Sequence, residues 1–210
     1  MRIADRAKRK ELTQIRQTQI LDAASEIFSK KGFAHTQVDG IANLAGLGKG
    51  TIYRYFKDKK KLFSAVVDRG LEDLKNTILI EVDKIEDPLK KIETVMRTYL
   101  SFFERNSDLT GVLIHEQSSF QKRIAERYFE HYYGNVDKMK QIFKEAIGKG
   151  IIKDINIDNA ISVLAGLLNG LIYMWQIENR SYKLSDKLSI VSKIFFTGII
   201  RNEKRRKEYE

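Results

Sequence analysis

Cysteine is absent from the 210 residues, so the chain can build no disulfide framework, no thiolate metal site and no thiol nucleophile. That absence fits a reducing compartment, and the cytoplasm is the expected location. Proline occurs once, at Pro88, and alternating β-branched runs are scarce. Both features argue against sheet architectures and leave helices throughout, an all-α fold. Histidine occurs three times, at His35, His115 and His131, without metal-ligand spacing. No nucleophile–base–orienter set and no phosphate-binding loop accompanies them. No enzyme activity, catalytic residue, cofactor or metal is therefore expected. Long apolar runs are missing too. The most apolar stretch, Val163 to Ile177, has 15 residues and carries Asn169 and Gln176. A membrane span needs ~20 apolar residues, so this stretch reads as a buried helix and no membrane partner is expected. The opening MRIADRAKRK is basic with no apolar run behind it, unlike a secretory signal.

What the chain does have is apolar content, 42% of residues, enough for a globular core. It also has a net charge of +10, unevenly placed. Residues 1–61 hold 14 Lys/Arg against 6 Asp/Glu, a balance of +8, and residues 62–210 hold 24 against 22, a balance of +2. A basic first third on a nearly neutral body points to a polyanion partner for that third.

Along the chain, the polar arm through Glu11 reads as frayed or as a helical extension. From Thr13 to Lys31, Ile20, Ala23, Ala24, Ile27 and Phe28 share one helical face, and Gly32 ends the helix. Thr36 and Asp39 have the spacing of a capping box that would open a short helix to Ala45. Gly46-Leu47-Gly48 is a turn. A second short helix, Lys49 to Phe56, buries Ile52 and Phe56. Asp58 is placed to cap the next helix, which carries Leu62, Phe63, Val66, Val67, Leu71, Leu74 and Ile78. Longer helices follow: one opened by Pro88, a short one over Leu109 to Glu116, and a long one from about Phe120 to Ile147 stopped by Gly148-Lys149-Gly150. The last two are Asp158 to Glu178 and Ser185 to Arg201.

Two short helices joined by a glycine turn are the helix-turn-helix arrangement, in which the second helix enters the major groove of DNA. With Ile52 and Phe56 inward, Lys49, Thr51, Tyr53, Arg54 and Tyr55 are left on the outer surface. Lys49 and Arg54 supply charge for phosphates or guanine edges, and Gly50 permits close approach. The hydroxyls of Thr36, Tyr53 and Tyr55 can reach phosphates. A tight helical hairpin inside a bundle would share the spacing, but two exposed tyrosines flanking an arginine are costly there.

The run Gly32-Phe33, Thr36, Val38, Ile41-Ala42, Ala45-Gly46, Lys49-Gly50-Thr51-Ile52-Tyr53, Tyr55-Phe56, Lys59 and Leu62-Phe63 resembles the N-terminal signature of TetR-family repressors. The resemblance implies DNA contacts at Thr36, Gln37, Lys49, Gly50, Thr51, Tyr53, Arg54, Tyr55 and Lys59. Tyr53 and the Lys49–Thr51 segment would reach bases, and Tyr55, Thr36 and Lys59 would hold phosphates. Gly48 stands where the family usually has a serine capping the recognition helix, and Lys61 where an acidic residue is common. The implied organisation is a DNA-binding domain over 1–61, with its helix-turn-helix at about 36–56, and a helical ligand-binding and dimerisation domain over 62–210.

In that larger domain the resemblance is architectural. Small residues Ala165, Gly166 and Gly170, with Ile194 and Phe195 on the last helix, are the expected homodimer interface. Tyr99, Phe103, His115, Phe120, Tyr128, Tyr132, Phe143 and Asn169 are the expected lining of a site for a small apolar ligand. Asn169 lies within an apolar helix, where an unpaired amide costs about 1–3 kcal/mol, and so needs a partner. The expected function is a ligand-responsive repressor that binds a palindromic operator in double-stranded DNA as a homodimer. The alternative is a nucleoid-associated or structural DNA-binding protein of the same fold controlled by a protein partner.

Overall fold

The computed structural model describes residues 2–115, 136–201 and 207–208. Their regular structure is helical, apart from one isolated antiparallel bridge between Ile152 and Ile200. In chain order the helices are α1 (Arg2–His35), α2 (Val38–Leu44), α3 (Lys49–Tyr55), α4 (Lys59–Val82), α5 (Pro88–Arg105) and α6 (Ser107–His115). They continue with α7, described over 136–148, then α8 (Ile157–Ile177) and α9 (Leu188–Ile199), the last preceded by a 3-10 turn at Leu184–Lys187. The chain forms two compact units. One is Met1–Gly70 with Asp108–Ala125, the other Leu71–Ser107 with Glu126–Glu210.

The first unit is organised around the stripe of α1 that buries Ile20, Ala23, Ala24 and Phe28. From Arg6 to Gln19 the helix buries no side chain; Leu12 and Ile15 stay half exposed. Gly32 sits at φ 69° and ψ 169°, a region essentially closed to side chains, and there the regular helix breaks as its sequence position predicts. The break brings Phe33 onto Phe63 at 5.4 Å between ring centroids, while Phe28 meets Phe63 edge-on at 4.9 Å. This aromatic triad closes the corner between α1 and α4.

The expected capping box does not form. α2 opens at Val38, behind Gln37, with no side-chain cap. Thr36 is buried, and its hydroxyl donates back to the carbonyl of Gly32 at 2.6 Å. Asp39 is drawn instead to Lys49. The turn after α2 is a Schellman motif: Gly46 takes φ 65°, Leu47 N–H donates to Ala42 O at 2.9 Å, and Gly46 N–H donates to Asn43 O at 3.1 Å. Asp58 caps α4 as its position suggested, its Oδ1 accepting from Lys61 N–H at 2.8 Å.

By packing, the first unit runs past Lys61 to Gly70, because Leu62, Phe63, Val66 and Val67 are all core residues. It also takes in α6. A Cβ on Gly70 would stand 2.5 Å from Leu109 Cδ2, and one on Gly111 would stand 3.2 Å from the Ser29 carbonyl oxygen. The Ser29 hydroxyl lies 3.1 Å from Asp108 Oδ1, tying α6 to α1.

In the second unit, Asp87 caps α5, accepting from Leu89 N–H at 2.8 Å, with Pro88 in the first turn. Ile92, Met96, Leu100, Phe103, Phe143 and Phe196 are core residues of this unit. α8 has the 21 residues expected, shifted by one position, and by length and apolar composition alone could cross a membrane. Only one face is buried: Ala160, Ile161, Leu164, Leu168, Ile172 and Trp175. Val163, Leu167, Met174 and Ile177 on other faces are exposed. The single helix expected over Ser185 to Arg201 is shorter. It begins after the 3-10 turn and stops at Ile199, where Arg201 N–H donates to Ile151 O and Lys153 N–H to Ile199 O.

Candidate nucleic-acid interface

α3 is held by two side chains. Ile52 and Phe56, expected to face inward, are 1% and 6% exposed. Anchoring these leaves Gly48, Lys49, Gly50, Tyr53 and Arg54 exposed, with Thr51 and Tyr55 half-buried beside them. Gln37, just before α2, is exposed as well. A Cβ placed on Gly48 or Gly50 would meet nothing within 4 Å. Nothing inside the chain therefore requires a small residue at either position; the room there is available to something outside it.

Charge on this face is present but partly engaged. Lys49 Nζ lies 2.9 Å from Asp39 Oδ2, and both groups are exposed. The Asp39 carboxylate holds the Lys49 ammonium above its ordinary pKa, chiefly by hydrogen bonding, so the lysine is cationic at neutral pH. Solvent screens an exposed pair of this kind, so a phosphate or a guanine edge can displace it. The Arg54 guanidinium rests 5.7 Å from the Tyr55 ring centroid, which limits the freedom of both side chains. Asp39 is the functional neighbour that the sequence reading assigned elsewhere; its place ten residues before Lys49 gave no helical spacing by which to pair them.

Two expected phosphate ligands are turned inward. Thr36 is 2% exposed with its hydroxyl donated to Gly32 O. Lys59 Nζ donates to Phe33 O at 2.7 Å and Thr36 O at 2.9 Å, and lies 3.5 Å from Ala34 O and 4.3 Å from the Phe33 ring centroid. Carbonyls freed by the break at Gly32 need donors, and this ammonium is the nearest. Both residues hold the α1–α2 corner in place here and present no free donor outward.

Of the expected ligand-site residues, Tyr99, Phe103 and Asn169 come together. Tyr99 hydroxyl donates to Asn169 Oδ1 at 2.6 Å, and its ring meets Phe103 at 4.9 Å. The amide in the apolar helix thus has a partner within the chain, and its need for one no longer argues for a ligand. Phe143 packs elsewhere, edge-on to Phe195 at 6.4 Å. Phe120, Tyr128, Tyr132 and the side chain of His115 lie outside the described residues. Among the described residues no group of three His, Cys, Asp or Glu could hold a metal ion.

The expected interface residues divide. Gly166, Gly170 and Ile194 are exposed, and a Cβ on either glycine would meet nothing within 4 Å. Ala165 is half-buried. Phe195 is buried against Phe143 and Phe196 inside its own chain, so it is a core residue rather than an interface one. The exposed apolar stripe was broader than read from sequence. Val163, Leu167, Gly170, Met174 and Ile177 follow one another at alternating steps of four and three, the heptad spacing of a helix seam. An open groove of 420 Å³ between α8 and α9 is lined by Val163, Leu167 and Ile194 among others.

Comparison with known proteins places these features. Residues 20–66 match the family of bacterial regulatory proteins, tetR family. The chain is 24% identical over 182 residues to the fatty acid metabolism regulator protein of Bacillus subtilis (strain 168), covering 86% of this chain and 94% of the relative. Its fold is similar to that of the fatty acid degradation regulator FadR from Bacillus halodurans, with a TM-score of 0.81 at 20% identity, covering 87% of this chain and 95% of that one. It is also similar to the transcriptional regulator FadR from Bacillus subtilis in complex with stearoyl-CoA. There the TM-score is 0.79 at 22% identity, over 86% of this chain and 98% of the other.

Proposed function

We propose that this chain, a transcription regulator carrying the TetR-family DNA-binding domain over residues 20–66, is a cytoplasmic, ligand-responsive repressor rather than an enzyme. It binds a palindromic operator as a homodimer and is released by a small, mostly apolar ligand. The observation that carries the reading is the outer face of α3, where exposed Lys49, Gly50, Tyr53 and Arg54 surround a helix pinned by buried Ile52 and Phe56. Exposed base-reading side chains on a rigidly anchored short helix suit major-groove recognition. Footprinting on the DNA beside its own gene tests it: protection of a sequence with two-fold symmetry supports the reading, and no protected sequence on any genomic fragment defeats it.

The homodimer follows from the exposed seam on α8. Val163, Leu167, Met174 and Ile177, together with Ile190 and Ile194 on α9, form an apolar surface that a second copy would cover. Gly166 and Gly170 let helices approach closely. Gly166→Arg puts a charged, bulky group there without disturbing the protomer, since a side chain at 166 has open space. Sedimentation should show the variant shifted toward monomer by at least about tenfold in dissociation constant, because burying one unpaired charge costs more than ~1.4 kcal/mol. Unchanged dimer mass would remove the α8 seam from the interface.

For the ligand, the regulator solved with stearoyl-CoA directs attention to long acyl chains, with Tyr99 and Asn169 as a polar pair beside Phe103. An acyl-CoA held at 100 times its dissociation constant should stabilise the protein by about 2.7 kcal/mol and release bound DNA. Heating curves unmoved by saturated acyl-CoAs of C12 to C18 would exclude that ligand class. Turning next to protein partners would then revive the structural DNA-binding alternative.

A further inference from the structure

Half of the charge balance of residues 1–61 lies ahead of Ile20: six Lys/Arg against Asp5 and Glu11. From Arg6 to Gln19 every residue is exposed on a continuous helix, used neither by the core nor by the helix-turn-helix, and Ile20 after them is buried. Among the described residues no carboxylate pairs with Arg6, Lys8, Arg9, Lys10 or Arg16, whereas Lys30, Lys49, Arg69 and Lys138 each hold an acidic partner. Arg6, Arg9 and Arg16 also keep helical register with Ile20, Ala23 and Ile27. They prolong the stripe that α1 turns toward the core of its unit into a segment where every residue is exposed.

We propose that this arm is a second DNA contact: a cationic helix edge that lies along the phosphate backbone flanking the sequence read by α3. An isolated helical segment of this length is marginal in water, and among residues 6–19 only Ala7, Leu12 and Ile15 are apolar. An acidic membrane surface would require a wide apolar face opposite the charges, and those three residues do not make one. A row of unpaired arginines does match phosphates, which guanidinium groups bind bidentately. At 1.5 Å per residue the arm is about 27 Å long, and duplex DNA offers a phosphate charge every ~1.7 Å of its axis. The contact adds affinity and leaves sequence choice to α3.

The inference rests on the DNA-binding reading, and the experiment separates the two. Arg6→Gln, Arg9→Gln and Arg16→Gln are combined in the full chain, and operator affinity is measured from 50 to 200 mM salt. A control carries the same charge change in the second unit, at Lys84, Lys90 and Lys183. The operator-bound dimer carries two arms, so six phosphate contacts are lost: the slope of log affinity against log salt should fall by about 5.4, and the wild type's advantage should shrink on the order of a thousandfold across that range. The ratio of operator to scrambled-sequence affinity and the melting temperature should not change. An unchanged slope with intact operator binding overturns the arm contact and leaves the regulator standing. A control that lowers the slope equally overturns it as well, by assigning the effect to net charge. If the arm variant instead loses adhesion to phosphatidylglycerol vesicles with its slope unchanged, the arm is a membrane element and the proposal falls. Absence of any duplex binding by the wild type defeats both.

Discussion

Replacing Lys49 and Tyr53 together by alanine should abolish specific operator binding while leaving melting temperature and dimer mass at wild-type values. Both side chains are exposed, and neither contributes to the buried set that holds α3, which is Ile52 with Phe56 beyond it. The change removes an exposed ion pair with Asp39 that solvent already screens, so the fold loses little. Against that, each base-edge contact supplies about 1–3 kcal/mol of discrimination, and two positions on each of two half-sites make four such contacts. Their loss totals at least about 4 kcal/mol, roughly a thousandfold in affinity. Residual binding should be sequence-independent and steeply salt-dependent. Footprint protection of the same operator at unchanged affinity would mean that α3 is not the reading element.

The second large effect is expected at Lys59, and it distinguishes two roles that the sequence could not separate. A phosphate ligand at this position predicts that Lys59→Ala weakens every DNA sequence alike and lowers the salt slope by about 1.8, one contact in each of two half-sites, with the fold untouched. The structure places the ammonium against the carbonyls of Phe33 and Thr36 and over the Phe33 ring. Removing it leaves those carbonyls without their donor at a corner where Gly32 already interrupts the helix. With charge-assisted hydrogen bonds contributing ~1.5–3 kcal/mol each, and water able to replace part of that, the loss should be about 2 kcal/mol. For a unit of this size that lowers melting by about 10 °C. Lys59→Arg, which retains the donors, should recover much of it. A variant that melts like the wild type but loses about two units of salt slope would restore the phosphate role.

These two residues also show where sequence reading reached its limit. Ile52 and Phe56 were legible because burial imposes a helical period, and period survives in sequence. Gly32 and Gly46 were legible because their positive φ values narrow the choice of residue. Thr36 and Lys59 were not, because a hydroxyl or ammonium that serves a carbonyl looks the same in sequence as one that serves a phosphate. The decisive fact is the direction of the side chain, and that is set by a helix break twenty-seven residues before Lys59. Phe195 failed differently. Phe195 and Ile194 are adjacent on α9, so they point to different sides, and both are apolar; no periodic signal says which side meets Phe143 and which meets solvent. Asn169 was correctly read as needing a partner, but naming it as Tyr99 requires knowing that α5 and α8 are neighbours.

The seating of α6 bears on how the unit that carries α3 comes into being. Leu109 fills the space beside Gly70, Gly111 lies against the backbone of Ser29, and the Ser29–Asp108 contact spans 79 positions of sequence. Such a long loop must be closed before that contact can form, and long-range closure slows folding. On the ribosome, at ~5–20 residues per second, His115 emerges several seconds after Gly70. During that interval α1 through α4 expose the surface that α6 will cover. A fragment cut after Gly70 would stay in that unfinished condition permanently. Transplanting residues 1–70 onto another protein should therefore yield a head that needs a substitute for Leu109 and Gly111 before it is as sturdy as in its parent chain.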